Sequence, residues 1–72
     1  MVKEKQALPE KQRQSLYYLA VGLRPVEIAE RMGISDSAVR KNINNAKKKL
    51  NAKTQEQAIA IAVDAGILNA KD

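Results

Sequence analysis

The fold of the chain follows from residues 25–50, which read PVEIAERMGISDSAVRKNINNAKKKL. Pro25 favours the start of a helix, because its missing N–H and fixed φ suit the first helical turn. Gly33 ends that helix, since glycine takes a positive φ without steric cost. Ser35 then offers an N-cap oxygen for a longer helix, which we expect over residues 36–50. A short helix, a tight turn and a longer helix form the helix-turn-helix pattern.

The apolar residues of this segment lie where two crossing helices would bury them. Ala29 is small and allows the helices to approach closely, and Ile34 fills the angle between them. At 100° per residue, four apolar residues of the longer helix fall within about 40° of one line. These four are Val39, Ile43, Ala46 and Leu50. From the shorter helix we expect the inward-facing residues to be Val26, Ile28, Ala29 and Met32.

The opposite side of the longer helix carries only cations and polar side chains. They are Ser37, Arg40, Lys41, Asn44, Asn45 and Lys48. Arginine pairs with guanine, asparagine with adenine, and lysine with guanine or phosphate. The one acid of this helix, Asp36, lies at its N-terminal end, where the helix dipole favours it. An ordinary solvated helix would mix in more acids, so this face favours double-stranded DNA as the partner.

Two further helices flank this pair. The first is expected from near Pro9, with Leu16, Leu19 and Ala20 as its apolar stripe, and Gly22 ends it. The last is expected over residues 55–65, with Thr54 as N-cap and Gly66 after its end. No segment shows the alternation of a strand, so we predict an all-α, four-helix domain. We expect a flexible segment over residues 1–7, the domain over 8–68 and a tail over 69–72.

The charge of the chain is concentrated in one segment. Thirteen basic and eight acidic residues give 72 residues a net charge of +5. Residues 36–50 hold five cations and one acid, a local charge of +4, whereas residues 54–68 hold only two acids, a local charge of −2. This contrast predicts two faces with different partners, and the basic face suits a polyanion.

Composition also excludes several kinds of site. The chain contains no Cys and no His, so a disulfide is impossible and the usual zinc ligands are missing. A Ser-His-Asp triad and a thiol nucleophile are excluded as well, so the only nucleophilic arrangement that the composition allows is a catalytic Ser-Lys pair. No glycine-rich phosphate loop is present. We therefore expect no catalytic residue, metal, cofactor or small-molecule ligand, and we do not expect an enzyme.

The apolar segments of the chain are short. The longest, Ala58 to Val63, cannot span a bilayer, and no basic start followed by an apolar run resembles a signal peptide. We expect a soluble, cytoplasmic protein without membrane contact.

The sequence resembles the LuxR-type (GerE-like) DNA-binding domain of bacterial transcription regulators. The resemblance runs without a gap from Leu8 to Leu68. It is carried by the segments Glu27-Ile28-Ala29, Gly33-Ile34-Ser35, Lys49-Leu50 and Gly66-Ile67-Leu68. The opening LPEKQRQ also resembles region four of sigma factors, which usually lacks a fourth helix. The fourth helix therefore favours the LuxR type.

The resemblance implies that some polar residues contact base edges and others contact the phosphate backbone. Base-edge contacts fall to Arg40, Lys41 and Asn44. Lys48 and Lys53 fall near the phosphate backbone. We expect further phosphate contacts from Arg24, Ser35 and Ser37.

The sequence departs from the family pattern at several positions. Arg24 stands where the family usually has Ser, so a capping oxygen is lost, although Glu27 at the third helical position compensates in part. Gln12 stands for a usual Glu. The pair Asn51-Ala52 stands for a usual Gly-Val.

The fourth helix of the family commonly pairs two subunits, and the residues here are consistent with that. We expect one face of this helix to contain Ala58, Ile61, Ala62 and Ala65. Ile59 and Val63 lie to one side of that face, and surplus apolar surface predicts a partner. We therefore expect a weak homodimer through Ile59 and Val63. The alternative is that the two residues only widen the core face.

Two functions remain open. The first is sequence-specific DNA binding as part of a bacterial transcription regulator, with residues 36–50 in the major groove. The second is a protein-interaction module that dimerises with a full-length regulator or docks on RNA polymerase. The uniform polar face around Arg40 and Asn44 favours the first, because a partner-binding module does not need it.

Overall fold

Four helices make up the fold in a computed structural model that describes residues 8–68. They are α1 (Glu10–Ala20), α2 (Pro25–Met32), α3 (Asp36–Lys49) and α4 (Gln55–Asp64). Residues 8–68 contain no strand, so the all-α, four-helix prediction is confirmed. Helix bounds agree with the expected ones to within about one residue, as boundaries usually do. The flexible segment expected over 1–7 and the tail expected over 69–72 lie outside the described residues.

Side chains cap the starts of three helices. The Ala38 backbone N–H donates to Ser35 Oγ over 3.1 Å at the start of α3. At the start of α2, Arg24 offers no acceptor, because a guanidinium only donates. Glu27 makes the other half of the capping pair, since its Oε1 accepts the Arg24 backbone N–H over 2.8 Å. The expected loss and its partial compensation are both confirmed. Thr54 caps α4 as expected.

The helices end on residues in the left-handed region, as the end of α3 illustrates. Asn51 has φ 56°, and its N–H donates to the Lys48 carbonyl over 3.1 Å. The Ala52 N–H donates to the Lys47 carbonyl over 2.8 Å. This pair of bonds is the Schellman motif, which satisfies two of the terminal carbonyls. Asparagine stands in for the usual glycine because its short side chain tolerates this region.

Helix α3 is the centre of the packing and contacts each of the other three helices. Its N-terminal half packs against α2 in a buried cluster of Ile28, Ala29, Val39 and Ile43. Its C-terminal half packs against α1 and α4 in a second cluster. The second cluster comprises Leu16, Ala46, Leu50, Ala58, Ala62 and Leu68. Leu19 of α1 packs against both clusters. All four residues predicted for the buried stripe of α3 are buried, so this helix is held along its whole length.

Three residues predicted to be buried are exposed. Val26 is 49% exposed, because it lies about 200° around α2 from Ile28, on the opposite side of the helix. Ala20 is the last residue of α1 and Ala65 follows the last residue of α4, and both are exposed at these ends. In place of Ala20, α1 buries Ser15 completely.

Ser15 shows how α1 and α2 meet. Its Oγ donates to Met32 Sδ over 3.4 Å. A buried hydroxyl needs a hydrogen-bond partner, and the thioether is a weak acceptor that also fills space. The contact ties the first helix to the end of the second, next to the turn before α3.

Candidate nucleic-acid interface

The outward side of α3 is exposed along its length. Its exposed members are Ser37, Arg40, Lys41, Asn44 and Lys48, and Asn45 on the flank is half-buried. On the inward side, Val39 and Ala46 are fully buried. The helix is therefore fixed by one side and open on the other, which is the geometry that a helix needs to enter a groove.

The cations of this side are free of acidic partners. Within residues 8–68 none of Arg40, Lys41 and Lys48 forms a salt bridge; the ion pair described in that range joins Arg13 and Glu10 of α1. Three lysines fill the last turn of α3, and Asp36 is in its first turn. An unpaired cation does not have to break an existing ion pair before it contacts a phosphate.

The dimensions of α3 match a DNA groove. Fourteen residues at about 1.5 Å per residue give a helix about 21 Å long. The major groove is about 12 Å wide and admits one α-helix. Arg40 and Asn44 are one turn apart, about 6 Å along the axis, which is close to the spacing of two base pairs. Their side chains can therefore reach neighbouring base pairs rather than distant ones.

Two serines lie at the N-terminal end of this face. Ser35 and Ser37 are both exposed, and their Oγ atoms are 3.3 Å apart. Ser35 Oγ already accepts the Ala38 N–H as the N-cap, so its acceptor capacity is used within the helix. One of the two hydroxyl groups donates to the other, and the remaining O–H can donate to a phosphate oxygen.

The other two expected phosphate contacts lie outside α3. Arg24 is exposed at the N-cap of α2, and Lys53 is exposed in the turn between α3 and α4. The backbone of each is fixed by a side chain further along the chain. The Arg24 N–H bonds to Glu27 Oε1, and the Lys53 N–H bonds to Gln57 Oε1 over 2.6 Å.

Gln57 is the residue that sequence reasoning missed. It stands three residues after Thr54, and Thr-x-x-Gln is the spacing of a capping box. The Gln57 N–H donates to Thr54 Oγ1 over 3.0 Å, as that spacing predicts. Its side chain reaches one residue further back than the usual box, to Lys53. The spacing could have indicated a contact here, but the shift by one residue is visible only in the structure.

The two residues expected at a dimer interface differ in exposure. Val63 is 40% exposed. Ile59 is half-buried and packs against the cluster between α1, α3 and α4. Ile59 therefore widens the core face, and its expected contact with a second copy stays a prediction. The exposed apolar residues of α4 are Val63 and Ala60, and they share its outer surface with Glu56 and Asp64.

Neither a metal site nor a membrane segment is found in the described residues. Residues 8–68 hold no group of three or more Cys, Asp or Glu that could bind a metal ion. None of the four helices in that range combines the length and the apolar character that crossing a bilayer requires.

The family model of Sigma-70, region 4, matches residues 4–50, which include α1, α2 and α3. The chain belongs to this family. The match ends before α4, so the region-four pattern accounts for the helix-turn-helix and not for the fourth helix. No curated protein matches the chain by sequence.

Solved structures account for all four helices. The structure of the transcription factor GerE superposes with a TM-score of 0.85 and 25% sequence identity, covering 93% of this chain and 98% of GerE. A structure of the Vibrio cholerae VqmA dimer, a LuxR-type receptor in the absence of its target DNA, matches with a TM-score of 0.81 and 30% identity. That match covers 88% of this chain, which spans only 28% of the VqmA chain.

These structures confirm the resemblance drawn from sequence. The chain is a four-helix helix-turn-helix domain of the LuxR/GerE type, whose first three helices also carry the region-four pattern of sigma factors. Both matches are to DNA-binding regulators rather than to enzymes.

Proposed function

We propose that this domain binds double-stranded DNA sequence-specifically, as all or part of a bacterial transcription regulator working in the cytoplasm. The observation that carries this proposal is the outward side of α3, where exposed cations and amides stand without acidic partners. A polyanion gains most from such a face, because each phosphate contact releases condensed counterions. Hydrogen-bond donors on the same face can read base edges.

The residues divide by the chemistry they can perform. Arg40 can donate two hydrogen bonds to guanine, Asn44 can bond adenine through both amide atoms, and Lys41 can donate to guanine. The remaining residues can bond phosphate oxygens, which fixes register without reading sequence. These phosphate contacts are Arg24, Ser35, Ser37, Lys48 and Lys53.

A duplex-binding titration at several salt concentrations tests the proposal. With about three phosphates neutralised per domain, by Arg24, Lys48 and Lys53, log affinity should fall with log salt at a slope near −3. Pools of random and selected duplexes of equal length separate general attraction from sequence preference. A slope near zero would contradict DNA binding, and a steep slope without sequence preference would contradict base reading by α3.

We also propose that two domains bind DNA together through α4. Val63 and Ala60 give α4 an exposed apolar surface, which a second copy can cover. Glu56 lies on the same side of the helix, and its repulsion of the same carboxylate on the second copy opposes tight pairing. Two recognition helices about 34 Å apart would meet inverted half-sites one turn apart. A surface this small predicts a weak dimer that DNA reinforces. The VqmA structure named above is of a dimer, which supports pairing of two copies, while the choice of α4 rests on its exposed apolar residues.

A second candidate function is docking on RNA polymerase, and the match to Sigma-70, region 4, favours it. Under this alternative the domain would bind a protein through its helices and have little affinity for free duplex. The same salt titration, together with a direct measurement of binding to RNA polymerase, separates the two functions. Strong, salt-dependent duplex binding supports the DNA-binding function, whereas polymerase binding with no duplex affinity supports the docking function.

A further inference from the structure

The turn between α3 and α4 ends the basic part of the described chain. Lys53 is exposed in this turn, and it follows the three lysines in the last turn of α3. No cation follows it within residues 8–68, since α4 carries only two acids, Glu56 and Asp64. Lys53 is thus the cation at the boundary between the basic helix α3 and the acidic helix α4.

Backbone hydrogen bonds fix the turn up to Lys53 from the side of α3. The Asn51 and Ala52 N–H groups both donate to carbonyl groups in the last turn of that helix, over 3.1 and 2.8 Å. Ala52 also packs against the cluster of buried residues between α1, α3 and α4. These contacts hold the two residues immediately before Lys53.

Gln57 fixes the same turn from the side of α4. Its Oε1 accepts the Lys53 N–H over 2.6 Å, and its own N–H donates to Thr54 Oγ1 over 3.0 Å. In the usual capping box, this side chain would accept from the N-cap residue itself, which here is Thr54. The shift by one residue means that Gln57 immobilises the backbone of the lysine rather than that of the cap.

An immobilised backbone matters for binding, because ordering a residue costs conformational entropy at the moment of association. We infer that Gln57 is a positioning residue, which fixes Lys53 so that its ammonium group meets a DNA phosphate. This inference rests on the proposed DNA-binding function and adds to it a residue that does not itself touch DNA. The competing explanation is that Gln57 only stabilises the start of α4.

A double-mutant cycle separates these explanations. Gln57→Ala removes the acceptor, and Gln55→Ala is the matched control. Gln55 is an exposed glutamine of the same helical turn, and its side chain makes no hydrogen bond within residues 8–68. Each change is made alone and together with Lys53→Ala, and duplex affinity is measured by fluorescence anisotropy. Amide exchange of the Lys53 N–H reports directly on the fixed backbone.

Positioning predicts a loss that depends on Lys53. Gln57→Ala should weaken duplex binding about three- to tenfold, the effect of one hydrogen bond, and should speed exchange of the Lys53 N–H. Gln55→Ala should change affinity by less than about twofold, as for an exposed site without contacts. With Lys53 already replaced, the effect of Gln57→Ala should fall below about twofold, because contacting sites are coupled.

Two results would overturn the inference. An equal loss in the presence and absence of Lys53 would mean that Gln57 acts only through the stability of α4. Unchanged affinity on Gln57→Ala would mean that the backbone bond does not contribute. In both cases the unaltered domain would still bind duplex, so the proposed function would stand. If the unaltered domain bound no duplex at all, the proposed function would fail together with this inference.

Discussion

Helices α3 and α4 use the same architecture on their inner sides and opposite chemistry on their outer sides. Each buries small and branched apolar residues against the shared core. Outward, residues 36–49 carry five cations and one acid, whereas residues 55–64 carry two acids and no cation. The buried sides determine the fold and do not contact a partner. The proposed difference in partners between the two helices therefore rests on their exposed sides.

This contrast separates the two proposed interfaces. A DNA phosphate approaching α3 meets unpaired cations, and one approaching the outer side of α4 meets Glu56, Asp64 and an apolar surface around Val63. Electrostatic repulsion thus keeps DNA from α4 while the apolar surface there can accept a second copy. The two proposed interfaces lie on different helices, so DNA and a second copy would not compete for one surface.

The largest expected effect comes from Ile59→Glu. Because Ile59 packs against the core cluster under α4, placing a carboxylate there should lower the free energy of unfolding by about 2–3 kcal/mol. Chemical denaturation followed by circular dichroism measures the change. The neighbouring exposed residue gives the control, and Ala60→Glu should alter stability by less than about 0.5 kcal/mol. Equal stability of both variants would mean that Ile59 belongs to the outer surface of α4.

Arg40→Ala tests the outer side of α3. The substitution should cost about 1–3 kcal/mol on the preferred duplex and relax the choice of base at one position, because a bidentate arginine distinguishes guanine. Anisotropy on the preferred duplex and its single-base variants measures both effects. Arg31→Ala, which removes the same charge from α2, should reduce affinity less and leave sequence preference intact. Equal effects of the two substitutions would contradict the assignment of base reading to α3.

Val63→Glu tests the outer side of α4. The domain should remain folded, because Val63 is 40% exposed, and it should bind a single half-site as before. On a duplex with two inverted half-sites it should lose about 1 kcal/mol of cooperative energy, the low end of typical coupling. Titrating the single half-site duplex and the duplex with two half-sites in one series measures this cooperative energy. Persisting cooperativity would place the contact between copies on another surface.

The smallest expected effect is that of Lys48→Ala. Loss of one phosphate contact should weaken all duplexes alike, by about 1 kcal/mol or less, and should make the salt slope shallower by about 1. Lys11→Ala on α1 removes the same charge away from α3 and should leave the slope unchanged. A change in sequence preference on Lys48→Ala would mean that this lysine reads a base.

Much of the fold could be predicted from the sequence because its signals are local. Pro25, Gly33, Ser35 and Thr54 mark helix boundaries through backbone chemistry that needs no tertiary context. The buried stripe of α3 follows from its period, since four apolar residues repeat on one line of the helix. Each of these predictions is confirmed in the structure.

Burial near helix ends and on α4 could not be predicted in the same way. Ala20 and Ala65 are apolar, but their exposure depends on where the neighbouring helices stop, whereas Val26 is exposed because of its angle around α2. Ile59 could belong to the core or to the surface by its angle alone, and packing against α1 and α3 decides this. Apolar character gives a tendency to be buried, whereas tertiary contacts determine which residues find a neighbour.

For the interface, the sequence identified the polar side of α3 but not what holds the flanking cations. Arg40, Lys41 and Asn44 follow from helical spacing and from the family resemblance, and all three are exposed. The bond from Lys53 to Gln57 could not be read from spacing, because a capping box predicts the neighbouring residue as donor. Register shifts of one residue require the actual turn geometry.

In the proposed function, DNA binds the outer side of α3 and not that of α4. Chemical-shift mapping of the backbone amides, during titration with a single half-site duplex selected from a random pool, tests it most directly. We predict that the largest shifts fall on the exposed residues of α3 and on Lys53, while Ala60 and Val63 remain unshifted. Shifts concentrated on α4, with Arg40, Lys41 and Asn44 unaffected, would contradict the account.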